Sequence, residues 1–234
     1  MRARRTRLLP PLAVALLLAG CGGTATPGSA SAPATTAGGS AEPSAAQAEA
    51  AAEASADPVA ATDPQTAALA VALRAADLPA GWSVQANPVP DGDVSKNPSL
   101  AGICGHTFTS EAHRTAKFPV VGVDSTGTAR VSSEAIAYDS AAAASTAVQE
   151  LVQAFGGCPA DQYTFVPGPS ADGLAPQSVV FRYELSGGTT QVVIAQAEGA
   201  VLSVLIGEDP DTTAQAARSI AGRLAALPAA AIGP

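Results

Sequence analysis

Lysine is almost missing from this sequence. Only Lys96 and Lys117 occur, and 12 basic residues in all face 20 acids. A duplex or single strand of nucleic acid needs clustered Lys and Arg to displace its counterions, so that class of partner is excluded. Histidine occurs twice, at His106 and His113, which leaves few bases to activate a nucleophile. The strand-turn-helix elbow Gly-x-Ser-x-Gly is absent. No glycine-rich loop closes a strand and opens a helix, so nucleotide binding has no support. The apolar run Leu8 to Ala19 is about a dozen residues, too short to cross a bilayer core as a helix.

What precedes and follows that run is informative. Arg2, Arg4, Arg5 and Arg7 stand before it, and Leu18-Ala19-Gly20-Cys21 closes it. A charged start, a short apolar stretch and a small-residue exit make residues 1–20 a secretory signal peptide. The last four residues resemble the lipobox of bacterial lipoproteins, in which the cysteine thiol takes a diacylglyceryl group and becomes the new N-terminus. That resemblance assigns Cys21 to lipid, palmitate included, and places the protein on the outer face of the cell membrane. Two or more acyl chains give stable anchoring where one gives only marginal binding. The mature chain would carry a net charge of −12, so electrostatic docking on anionic headgroups cannot hold it there.

With Cys21 assigned to lipid, Cys104 and Cys158 remain as an even pair in an oxidising compartment. A disulfide between them would close a loop of 54 residues. On the chain-entropy account it stabilises by roughly 4 kcal/mol. The competing reading is a metal site built on Cys104-Gly105-His106, which lacks the second ligand pair that tetrahedral zinc requires.

Residues 22–62 are almost wholly Gly, Ala, Ser, Thr and Pro with a few acids. They cannot bury enough apolar surface to order themselves, so residues 21–62 read as the lipidated cysteine and a disordered stalk. The folded domain is expected over 63–228, with 229–234 a frayed tail. Asp63 and Pro64 suit the N-cap and first turn of a helix whose apolar face is Leu69, Ala72, Leu73 and Ala76, running to Leu78. An extended segment starts at Gly81-Trp82-Ser83-Val84, and strands are predicted at 114–123, 128–138, 162–166, 177–185, 190–197 and 200–206, with turns at Asp124–Gly127, Ser186–Gly188 and Glu198–Gly199. A second helix runs from Asp139 or Ser140 to Phe155, with Val148, Leu151, Val152 and Phe155 on one stripe and Gly156-Gly157 as a left-handed C-cap. A third follows Asp209 or Asp211, with Ala217, Ile220, Ala221 and Leu224 facing inward. Two β-β-α groupings in series hint at duplication. The fold class is α+β: an antiparallel sheet packed against two or three amphipathic helices, with one disulfide.

Three features together carry a further resemblance. Ala75-Ala76-Asp77-Leu78-Pro79-Ala80-Gly81-Trp82, the Tyr138-Asp139-Ser140 entry into an alanine-rich helix, and the Cys104/Cys158 pair resemble actinobacterial lipoproteins that share the extracellular sensor domain of transmembrane serine/threonine kinases. The resemblance implies an antiparallel sheet with helices and a cleft for an unidentified ligand. It assigns a role to no further residue.

The expected function is therefore a non-enzymatic ligand-binding or sensor-like domain held at the membrane by its lipid. A structural lipoprotein that binds an envelope protein, or a lipid carrier, is the alternative. No catalytic residue, cofactor or metal is assigned, and the ligand-binding residues are unknown. Several readings invite a structural check. Ser110 between the two histidines, with Glu111 or Asp124, would make a triad on paper. Glu208, Asp209 and Asp211 would make a calcium site, or else a cap at a helix start. Arg114, Arg130 and Arg182 would line a cleft for an acidic ligand, or else face solvent or pair with Glu134 and Glu184. Trp82, the lone tryptophan, is either a core anchor or a stacking surface.

Overall fold

The computed structural model describes residues 57–86, 98–100 and 102–233. The signal segment, Cys21, nearly all of the stalk and the loop 87–97 lie outside the described residues. Seven strands form one antiparallel sheet: β1 (Ser83–Ala86), β2 (Arg114–Val123), β3 (Ala129–Tyr138), β4 (Tyr163–Phe165), β5 (Gln177–Leu185), β6 (Thr190–Glu198) and β7 (Val201–Gly207). Their spatial order is β1-β2-β3-β7-β6-β5-β4. Short turns join β2 to β3 and β5 through β7, as period-2 alternation broken by Gly-containing turns dictates. The helix α2 (Ala141–Gly156) carries the chain from central β3 out to the edge strand β4, and the meander then returns to pair β7 with β3.

Helices cover both faces. On one lie α1 (Pro64–Val71) and α3 (Pro210–Ala225), packed with Val120, Ala135, Ala137, Ile194 and Leu205 of the sheet. On the other lies α2, where Ala147, Leu151 and Phe155 meet Ile136, Val193 and Leu202. Segment 98–113 joins this second layer through Leu100 and Phe108. The helices are alanine-rich on their inner faces, so their backbones sit close to the strands. After the first helix a side chain comes equally close to the sheet: a Cβ on Gly122 would stand 2.8 Å from Cδ1 of Leu78. The groupings β2–β3–α2 and β6–β7–α3 exist, but their helices lie on opposite faces of the sheet.

Five expectations are corrected. The first helix stops at Val71, and Ala76 is exposed. Asp63 caps it as expected, accepting from the Thr66 N–H at 2.8 Å, and Thr66 completes a capping box. The chain then breaks because the Arg74 guanidinium donates to the Ala70 carbonyl at 2.7 Å and Asp77 accepts the Arg74 N–H at 2.9 Å, starting a 3-10 turn. On α2, Val152 is 45 % exposed and the buried stripe runs through Ala144, Ala147, Val148, Leu151, Ala154 and Phe155. Gly157 ends this helix in right-handed backbone (φ −92°), its N–H donating to the carbonyls of Gln153 and Ala154. Finally, the tail is docked: Ala231 is buried, and the Ala200 N–H donates to the Ile232 carbonyl at 2.6 Å. The ordered chain also starts earlier than residue 63, with a 3-10 turn at Pro58–Ala60 and a buried Ala61.

Candidate functional site

Two polar regions stand out, one at an end of the sheet and one beneath segment 98–113. At the sheet end, the β2–β3 turn is built around Asp124. Its carboxylate accepts from the Thr126 hydroxyl at 2.6 Å, the Arg130 Nε at 2.8 Å, the Thr128 N–H at 3.0 Å and the Thr126 N–H at 2.9 Å. The Thr126 hydroxyl first, then the Arg130 guanidinium, hold this carboxyl well below the usual range. Arg130 also reaches Glu208 at 3.5 Å, where β7 ends. Asp209 caps α3 by accepting the Thr212 N–H at 2.7 Å, and the Thr212 hydroxyl first, then this N–H, lower its pKa.

This arrangement leaves a shallow, solvent-open hollow on each side of the Arg130–Glu208 pair. One, of about 180 Å³, lies on the α2 face and includes Val121, Ser132, Gln191 and Ile206. The other, of about 300 Å³, is lined by Trp82, Asp209 and Thr212 together with Arg130 and Glu208. Trp82 is half buried and packs on the α1–α3 cluster while lining this hollow.

The second region is a layer of carboxylates that holds segment 98–113 to the body. Glu150 of α2, 7 % exposed, accepts from the Thr109 N–H (2.7 Å) and hydroxyl (2.6 Å) and from the Ser110 N–H (3.2 Å) and hydroxyl (2.6 Å). Burial pushes its pKa up, but these four bonds together outweigh burial and bring it below the ordinary value. Glu111 accepts the N–H groups of Ser99 and Leu100, each at 3.1 Å, and the Arg114 Nε at 3.0 Å. Deeper still, Lys117 pairs with Glu134 at 3.3 Å. Burial raises the Glu134 pKa, and the Lys117 charge opposes it only in part. Cys104 and Cys158 are disulfide-bonded with Cα atoms 5.1 Å apart, fixing the same segment to the end of α2.

The residues singled out from the sequence do not assemble into a catalytic or metal site. His106 is not a metal ligand beside Cys104: that cysteine is in the disulfide, and the imidazole packs edge-on against Phe108, with ring centres 5.0 Å apart. Ser110 gives its hydroxyl proton to Glu150, whereas His113 pairs with Asp139 at 2.8 Å on the surface. Asp124 sits beyond the far end of β2 from both. Among the described residues, no three His, Cys, Asp or Glu side chains cluster to hold a metal; Asp209 caps and Glu208 pairs with Arg130. The three arginines are dispersed. Arg114 binds Glu111, Arg130 binds Asp124, and Arg182 donates to the Pro167 carbonyl at 3.4 Å. Glu150 and Lys117 escaped the sequence reading because single charges within an amphipathic helix and strand carry no signal of burial. Cys21 lies outside the described residues.

The class this defines is a seven-stranded antiparallel α+β domain closed by one disulfide. No family model and no curated protein matches the chain. Among solved structures it is similar to the extracellular domain of PknH from Mycobacterium tuberculosis, at 15% identity and a TM-score of 0.39, over 62% of this chain and 77% of that one. No residue's role is taken from that likeness. No helix among the described residues is long and apolar enough to cross a membrane.

Proposed function

We propose that this chain is a lipid-anchored extracytoplasmic lipoprotein whose domain acts by binding, not by catalysis. The observation that carries the compartment is the Cys104–Cys158 bridge, which belongs to an oxidising environment. The Leu18–Cys21 lipobox supplies the anchor on Cys21. Support for the binding role comes from Ser110 and His113, whose hydroxyl and Nδ1 bond Glu150 and Asp139 and not one another. The test expresses the full chain in a lipoprotein-processing bacterium fed an alkyne analogue of palmitate. Label on the wild type and none on Cys21→Ser, with the protein in the detergent phase, is the expected result. An unlabelled wild-type chain released to the medium would overturn the anchor.

A protein-interaction role is the second reading, favoured by Phe165 on the edge strand β4, which is 47 % exposed. An edge strand with an exposed ring is a ready surface for a partner. Cross-linking at position 165 in intact cells would yield a discrete adduct under that reading and none otherwise.

A further inference from the structure

We propose that the end of the sheet around Arg130 binds a neutral oligosaccharide laid across the Arg130–Glu208 ridge. The proposal rests on the binding role argued above and names its ligand class. Trp82 is the only tryptophan of the chain, and it is half buried at the larger hollow, not sealed in the core. A tryptophan held this way offers a flat apolar face with one N–H at its rim. That chemistry meets the C–H face of a sugar ring. Around it stand groups that bond hydroxyls: the Arg130 guanidinium beyond the Nε that Asp124 takes, the Glu208 and Asp209 carboxylates and the Thr212 hydroxyl. Across the ridge, Ser132 and Gln191 continue the polar lining, and the Tyr183 hydroxyl fixes the Gln191 carbonyl oxygen at 2.7 Å.

Charge decides against the other ligand classes. Arg130 is balanced by Asp124 at 2.8 Å and Glu208 at 3.5 Å, and Asp209 by the Thr212 N–H at 2.7 Å. An anion would meet two carboxylates. A cation would meet a guanidinium and the positive end of α3. A polyhydroxylated ligand without charge meets neither penalty. The form of the site agrees, since compact apolar ligands need enclosed pockets, whereas two open hollows flanking one ridge suit an extended chain that stays partly in water.

Because Trp82 is the sole tryptophan, its emission reports on this site directly. The full mature chain in detergent is titrated with cellohexaose, maltohexaose and triacetylchitotriose, and with hexalysine and hexaglutamate as charged controls. The expected result is a saturable emission change with at least one neutral oligosaccharide, with a dissociation constant of about 1 mM or tighter, insensitive to salt. Glu208→Gln and Thr212→Ala should each weaken it about 10-fold with an unchanged thermal midpoint. No saturable change with all three oligosaccharides would overturn the proposal. So would a salt-sensitive response to a charged peptide alone. Either failure leaves the palmitate labelling of Cys21 unaffected, so the anchor is judged separately.

Discussion

Arg223 on α3 grips Asp77 in the 3-10 turn after α1 through two bonds of 2.7 Å each, across 146 residues of sequence. The same guanidinium reaches the Ala72 carbonyl at 3.1 Å. Asp77 is 4 % exposed, so the pair is a largely buried, bidentate clamp between the turn after α1 and the last helix of the domain. Removing one partner leaves the other charged and desolvated. Asp77→Ala and Arg223→Ala should therefore each lower unfolding free energy by about 3 kcal/mol. The double variant should lose much less than their sum. Urea unfolding of the four proteins checks this, and additive losses would show that the clamp is not a unit.

The carboxylates beneath segment 98–113 give two pH dependences of opposite sign. Glu150 has a folded pKa below its unfolded value, so its contribution is present above the unfolded carboxylate range and is lost as pH falls through the folded value. Glu134 has a raised folded pKa. Its contribution is full below the unfolded value and is lost as pH rises through the folded one. Glu150→Gln should thus flatten the acid side of the stability profile below about pH 4.5, and Glu134→Gln the limb above it. Chemical denaturation between pH 3 and 7 separates them. Matching changes in both variants would contradict the assignment.

Reduction of the Cys104–Cys158 bond, or Cys104→Ser with Cys158→Ser, releases a 54-residue loop. The expected loss is roughly 4 kcal/mol. Glu150 would still hold Thr109 and Ser110, so the reduced protein should unfold at lower temperature but keep its far-UV spectrum at 25 °C. A thermal midpoint insensitive to reductant would refute this.

How far the sequence reveals the fold is clearest on α2. The helix start at Asp139 or Ser140, its end near Phe155 and the disulfide beside that end are all legible, because helix-end signals and even cysteine pairs act locally. The strands are legible for a related reason: alternation such as Val179, Phe181, Tyr183 and Leu185 reports directly the face that packs toward α2. The inner stripe of α2 was less legible. Alanines 144, 147 and 154 are core residues, yet Ala76 and Ala80 are exposed, and only contact with the sheet distinguishes them. The sheet-end hollows were not legible at all, since Trp82, Arg130 and Asp209 are brought together only by the β2–β3 turn and the start of α3. Leu151→Ala should cost about 3 kcal/mol by leaving a cavity, and Val152→Ala almost nothing, measured by thermal unfolding.

The docked tail offers the most direct test of a contact that composition did not announce. Gly199 adopts φ +54° in the β6–β7 turn, and a Cβ there would stand 2.5 Å from both the Cβ and the carbonyl oxygen of Ile232. The turn is glycine because the tail lies against it. That tail in turn accepts the Ala200 N–H and buries Ala231. Gly199→Ala should cost about 1–3 kcal/mol, from left-handed backbone and from displacing Ile232. Deleting residues 230–234 should destabilise the wild type but add little to Gly199→Ala, because the substitution has already lifted the tail. Losses that simply add would mean the tail stays seated when Gly199 gains a side chain, and that the penalty is backbone strain alone.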